Sequence, residues 1–295
     1  MDGILNLNKP AGRTSFSLVA LVRKLSRERR VGHAGTLDST ASGVLPVCLG
    51  KATRIVEFLM DAGKTYRTRI KLGTATDTYD AAGKVIQQGD ASGIDRRQVE
   101  ATLEEFRGQI TQTPPMYSAL KHQGRRLYQL ARQGVTVERP SRPATIYNIE
   151  LEDFELPIVT LKVDCAKGTY IRSLAHDLGQ RLGCSGHVGS LVRLSYGPFS
   201  LEDAVSLPQL EEAFADGSWQ ELIYPIDSVL ADWPSLVVAE EQAEVIRHGG
   251  SLAADEISGV KGQGRCRAYN QQGGLVAILQ YDEAGRRWQP EKVFA

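Results

Sequence analysis

The sequence predicts an α+β fold on three observations. Strand-like and helix-like patterns alternate irregularly from the first residues. A glycine-punctuated loop separates apolar segments early in the chain, and short strand-like runs joined by turn signals fill the residues after about 232. A chain of 295 residues with 42% hydrophobic content can bury one large domain and one small one.

Taken in order, residues 3–7 read as a strand and a helix starts near Ser15, with Leu18, Leu21/Val22 and Leu25 at helical spacing and Thr14 or Ser15 as cap. The loop Gly32–Gly43 leads into VLPVCLG, a run short enough, with Pro46 inside it, to suit a buried strand. A helix near 52–60 and a strand near 65–72 follow. GTATDTYDAAG, residues 73–83, is a polar turn cluster, and 95–107 is helical with Val99, Leu103 and Phe106 on one face.

Residues 112–147 differ in kind. They combine a Pro pair with Met116, Tyr117, His122 and Tyr128 and a basic bias, which predicts a projecting insertion with a short helix at Arg126–Gln133. Strands return at about 143–155 and 157–166. GTYIRSLAHDLGQRLG gives a helix ending at Gly183, and HVGSLVRLSYGPF another strand. The stretch 201–229 is acidic and helical, with Ser206 and Gln209 at capping-box spacing. A boundary near Ala231–Pro234 divides a domain 1–231 from a β module 232–295.

Net charge is zero, yet its distribution is uneven: thirteen Lys/Arg face five Asp/Glu in 1–72, six face one in 112–147, and five face thirteen in 148–231. Such a chain can turn one basic face toward nucleic acid, although solvated helix-face charge accounts equally for RKLSRERR at 23–30. The four cysteines are far apart, with no C-x-x-C or His-paired cluster, so they read as reduced buried thiols and no metal is expected. The residues after Met1 do not read as a secretory signal, and no window approaches the apolar length of a membrane span; a cytoplasmic protein is expected. No P-loop or dinucleotide fingerprint is present, so no cofactor is expected.

The strongest local signal is VGHAGTLDSTASGVLP, residues 31–46, which places one carboxylate, Asp38, among small residues and Gly32, Gly35 and Gly43. Such a loop lets a planar ligand approach the backbone closely. Spacing alone favours the plainer alternative, an Asx-turn in which Asp38 bonds its own backbone near Ser39–Ala41.

KP at 9–10, GHAGTLDSTASGVL at 32–45, KTYR at 64–67, TDTYDAAG at 76–83, PPMYSALK at 114–121 and GTYIRSLAHDLG at 168–179 together resemble the bacterial tRNA pseudouridine-55 synthase family, the TruB type, in order across roughly residues 3–200. The resemblance implies a mixed, mainly antiparallel sheet of the pseudouridine synthase type and an insertion that clamps RNA. The C-terminal module resembles a PUA-type RNA-binding domain. It further implies isomerisation of the uridine at position 55 in the TΨC loop of tRNA, with base flipping. Nothing in the sequence demands more than a monomer, and no membrane association, obligate protein partner or cofactor is expected.

By motif, Asp38 matches the catalytic aspartate, Arg172 the arginine that pairs with it, and Tyr66 and His33 residues around the target nucleotide. Tyr170 and Leu191 match substrate-pocket positions. Gly32, Gly35 and Asp80 belong to the supporting loops. One departure is Ser39, where many members have proline, which puts the loop's rigidity in question.

The residue types suit the chemistry. Breaking the N1–C1′ bond and rejoining through C5 calls for an ionised carboxylate as nucleophile or base, and Arg172 is expected to keep the Asp38 pKa low. Tyr66 offers a face to the base and a phenol near C5, while a Tyr in the alternating KTYRTRIKL is also ordinary sheet packing. His33 fits insertion into the space a flipped nucleotide leaves, or a core histidine. Asp77 and Asp80 suit a turn better than a calcium loop. A guide-dependent synthase and a tRNA-folding factor are the competing functions.

Overall fold

The computed structural model describes residues 1–257 and 259–294. Its main sheet runs in the order Ile223–Tyr224, Gly3–Lys9, Ser42–Leu49, Gly186–Tyr196, Lys64–Leu72, Ile158–Cys165, Arg142–Glu155, Gly108–Gln112. Along this path the pairing is antiparallel except between Ser42–Leu49 and Gly186–Tyr196, which makes the sheet mixed and mainly antiparallel.

Lys64–Leu72 lies centrally, and its sequence explains why. Tyr66, Thr68, Ile70 and Leu72 are buried while Arg67, Arg69 and Lys71 are exposed, the period of a strand covered on one face only. Tyr66, Ile70 and Leu72 pack with Val163, Leu161 and, from the Ile171–Arg181 helix, Leu174 and Leu178. A second core joins Leu5, Leu7, Leu45 and Val47 to the Ser15–Ser26 helix, whose cap is Thr14.

Most elements lie where their patterns place them. The differences are local. Val31–His33 forms a short strand against Ser42–Leu49 at the start of the expected loop. The helix predicted over 95–107 is Arg96–Glu104, held at its start by an Asp95–Gln98 capping box. Between 201 and 229 only Leu207–Asp216 is α-helical, starting at Ser206 with the expected capping box; Gly217, at φ 88°, ends it. The excursion from the sheet is narrower than 112–147, because Arg142 already pairs with Gln112. It carries a two-strand hairpin, Lys121–His122 with Arg125–Arg126, and the Leu127–Arg132 helix, over a small core of Met116, Leu127 and Leu130.

A separate five-stranded sheet follows from Ser235. Ile278 and Phe294 of this module pack into a core with Ile4, Val44 and Ile55. Lys51 Nζ donates to the Phe294 carbonyl at 2.9 Å, and Phe58 meets Trp233 edge-on with ring centroids 5.2 Å apart. No helix among the described residues is long and apolar enough to cross a membrane. All four cysteines are unpaired and buried.

The parallel contact depends on one glycine. Gly43 has φ +105°, and a Cβ there would lie 2.2 Å from the Arg193 carbonyl oxygen. Gly43→Ala is expected to cost about 2–3 kcal/mol in urea unfolding, from backbone strain and from separating the two strands. Gly93→Ala, with open space around it, is the near-neutral control.

Candidate active site

The loop after Val31–His33 is fixed on both sides of Asp38. The Ser15 hydroxyl accepts from Leu37 N–H and donates to the Leu37 carbonyl, both at 3.0 Å, and the Leu37 side chain is plugged into the core beside Tyr66. Gly12 N–H donates to the Ser39 carbonyl at 2.7 Å, and Ala41 N–H to that of Asp38 at 3.1 Å. These bonds hold the loop through its backbone, so serine at position 39 does not leave it unsupported. The Asp38 carboxylate is turned away from its own loop.

It points to Arg172, whose Nε lies 2.9 Å from Asp38 Oδ2. Arg172 is buried at the second position of the Ile171–Arg181 helix. A cation there opposes the helix dipole, so other groups must hold it. Its terminal nitrogens donate to the carbonyls of Thr78 at 3.2 Å and Tyr117 at 2.8 Å, and Asp80 Oδ2 lies 3.9 Å away. Asp80 is in turn fixed by the Thr78 hydroxyl at 2.6 Å and Ala82 N–H at 3.0 Å. The polar TDTYDAAG turn thus serves as the back wall of the arginine, and the root of the insertion supplies another of its acceptors.

Asp38, Tyr66, Tyr170, Arg172, Leu191 and Gly35 line one pocket of about 310 Å³, near the lower end for small-molecule sites. Gly35, at φ +67°, lets the loop pass the Tyr196 ring, whose hydroxyl would be 3.0 Å from a Cβ. Tyr170 is oriented by Gln112, whose side-chain amide bonds its N–H at 3.0 Å and its carbonyl at 3.2 Å. Asp80 lies behind the pocket. Gly32 and His33 are outside its lining; His33 is partly buried, with Nδ1 lacking a hydrogen-bond partner. A larger hollow, about 550 Å³, lies on the insertion between Arg125, Tyr128 and Arg132 and has no carboxylate in its walls.

The electrostatics correct one expectation. Although 41% of the Asp38 side-chain surface opens to the pocket, withdrawal from bulk water pushes its carboxyl above the ordinary aspartate value, with Asp80 adding to the rise. Arg172 and Lys9 pull the other way without reversing it. The arginine orients the carboxylate and limits the rise.

Sequence reasoning missed Lys64, Arg193 and Tyr196, all of which line the pocket. Lys64 stands two residues before Tyr66 and Arg193 two after Leu191, so strand alternation was an available signal for both. Lys9 is buried near this site, with Nζ donating to the carbonyls of Arg13 at 2.7 Å and Pro10 at 3.0 Å; burial lowers its pKa to about 8.

Comparison with known proteins gives a consistent result. Residues 23–171 match the TruB family pseudouridylate synthase N-terminal domain, and 172–231 the tRNA pseudouridylate synthase B C-terminal domain. A tRNA pseudouridine synthase B of Dehalococcoides mccartyi strain BAV1 is 45% identical over 294 residues, covering 100% of this chain and 97% of that protein. That of Geobacillus thermodenitrificans is 47% identical over 260 residues, 85% of this chain and 86% of its own length. Among solved structures, a Cbf5–Nop10–Gar1 complex matches with a TM-score of 0.78 and 30% identity, over 99% of this chain and 85% of the matched chain.

Proposed function

The chain belongs to the TruB family of pseudouridylate synthases, and on that footing we propose that Asp38 is the carboxylate that acts on the sugar of a single uridine, position 55 in the TΨC loop of tRNA. The coarser activity, isomerisation of uridine to pseudouridine in tRNA, comes with the family. The observation that carries the role of Asp38 is its pair with Arg172 at 2.9 Å in the wall of a base-sized pocket; the choice of uridine rests on the resemblance to the family.

In this reading the target nucleotide leaves the stack and enters the pocket, which a folded RNA loop permits at a cost of a few kcal/mol. Tyr66 and Leu191 contact the base and Tyr170 borders the sugar. Asp38 attacks C1′ or removes a sugar proton, while Arg172 is a positioning residue acting through it. The C1′–N1 electron pair leaves with the base. Once the base has turned, C5 bonds to C1′ as the Asp38–C1′ ester bond breaks or as the abstracted proton returns to the sugar, and C5 then gives up its proton while N1 gains one. Atoms and electrons balance without a redox cofactor or nucleotide triphosphate.

His33 faces the space left by the extruded nucleotide, Gly32 and Gly35 give the loop its close approach, and Asp80 anchors Arg172. The 113–141 excursion, with Arg125, Arg126 and Arg132, grips phosphates, and the module from Ser235 serves as a PUA-like RNA contact. The protein acts in the cytoplasm as a monomer without a guide RNA or protein partner.

Two measurements test this. With RNA carrying tritium at uridine C5, isolated protein is expected to release label from a TΨC stem-loop and not from an anticodon stem-loop of equal length. Equal release from both, or none from either, would contradict the assignment. The acid limb of the single-turnover rate has a calculable sign. Asp38 must be ionised and its folded pKa is raised, so activity is lost as pH falls through a value above that of an ordinary aspartate. A limb at or below the ordinary value would contradict the burial argument.

A further inference from the structure

Arg193 and Lys64 are two cations built into the pocket without a counter-ion. Arg193 is fully buried and Lys64 partly so, yet among the described residues neither is ion-paired with a carboxylate. The nearest acidic candidate in sequence, Asp61, is taken by Lys167 at 2.5 Å. The cross-strand register explains how they meet: Arg193 pairs with Tyr66, and Tyr196 with Lys64. Both cations bear on the buried Tyr196 ring, Lys64 Nζ at 4.1 Å and Arg193 Cζ at 4.8 Å from its centroid.

Neutral acceptors hold them in place. Arg193 Nε donates to the Val44 carbonyl at 2.7 Å, and Lys64 Nζ to that of Ala62 at 2.8 Å. Burying like charges side by side is costly. Its effect shows in Lys64, whose pKa burial, with help from Arg193, lowers to about 8. An arrangement that stores this cost is complementary to a negative charge arriving in the pocket, and the carboxylate of Asp38 is already engaged by Arg172.

The reaction generates such a charge. Whether Asp38 bonds to C1′ or removes a sugar proton, the C1′–N1 electron pair leaves with the base, so the detached uracil is an anion delocalised over N1, O2 and O4. We propose that Arg193 and Lys64, braced on Tyr196, form the anion site that holds this detached uracilate while it turns. The inference rests on the uridine-isomerase reading above. The cations differ from Arg172 in role: they stabilise the leaving base, whereas Arg172 orients the carboxylate. When C5 has bonded to C1′, with the Asp38 ester broken or the abstracted proton returned to the sugar, and the C5 proton has been lost, N1 takes up a proton, the ring is neutral, and the site releases it.

The test uses tRNA transcripts with uridine or 5-fluorouridine at the target. Fluorine makes the departing base a weaker base that needs less stabilisation. Lys64→Met is expected to slow single-turnover glycosidic cleavage of the uridine substrate about 100-fold, and that of the 5-fluorouridine substrate at most about 10-fold, with tRNA Kd changed by less than about threefold. Lys64→Arg should restore most of the rate. Because Arg193 also braces the fold, its role is read on wild-type protein and Arg193→Lys. 5-Nitrouracil, ionised at neutral pH, should compete with tRNA at least about tenfold better than neutral uracil, and the preference should shrink in the variant. Equal slowing on both substrates, or no preference for the anionic pyrimidine, would overturn the proposal. Wild-type protein inactive on both transcripts would instead sink the underlying function.

Discussion

Asp38→Asn is expected to lower the single-turnover rate of pseudouridine formation by on the order of 10⁴-fold or more while leaving tRNA affinity within a few-fold. The amide keeps the size of the carboxylate and still accepts from Arg172 Nε, so the loop held by Ser15, Leu37 and Gly12 should survive. What it loses is the negative oxygen needed to attack C1′ or to take a proton. Binding should persist because the proposed RNA contacts of the basic insertion and the module do not use that oxygen. Stopped-flow binding with a fluorescent tRNA, beside quenched-flow chemistry, separates the two quantities. A residual rate within tenfold of wild type would remove Asp38 from the chemistry.

Arg172→Met should have the second-largest effect, because it leaves two carboxylates and two carbonyls facing a methionine. Asp80 is buried and Asp38 only partly so, and Tyr117 and Thr78 lose their donor. Breaking a buried charge network from one side costs about 3–5 kcal/mol; the openness of Asp38 to the pocket puts the expectation at about 3 kcal/mol in chemical denaturation. With Arg172's pull gone, the Asp38 carboxyl should rise further, moving the acid limb of activity up in pH. Adding Asp80→Asn should recover part of the stability and little of the rate, because it relieves repulsion without restoring the orientation of Asp38. Additive losses would show that the three side chains do not act as one network.

Much of the fold was legible because it rests on short-range patterns. KTYRTRIKL alternates cleanly, and the strand is central with one face buried. SxxQ at 206–209 gave a capping box, and Gly183 a helix end in the left-handed region. What escaped were features set by distant partners. Ile223–Tyr224 is a strand only because Gly3–Lys9 lies beside it. Gly108–Gln112 has little burial to announce it and is defined by pairing with Arg142–Ile146.

The site shows the same division. Asp38 stood out from its small, glycine-rich surroundings, but composition could not separate a reacting carboxylate from an Asx-turn. The resemblance suggested the choice, and the 2.9 Å contact with a residue 134 positions away supports it. Arg193 and Lys64 were not singled out in the sequence, since it is the three-dimensional register that puts both against Tyr196. The direction of the Asp38 shift was misjudged for a related reason: pairing with Arg172 is visible as a motif, whereas withdrawal from water is a property of the whole pocket.

The most direct measurement is nucleotide-resolution pseudouridine mapping on an unmodified elongator tRNA incubated with the isolated chain and, in parallel, with Asp38→Asn. A single pseudouridine at position 55 with the wild-type chain, and none with the variant, is the predicted result. A modified position outside the TΨC loop, modification by the variant, or tight tRNA binding with no modification at all would contradict it.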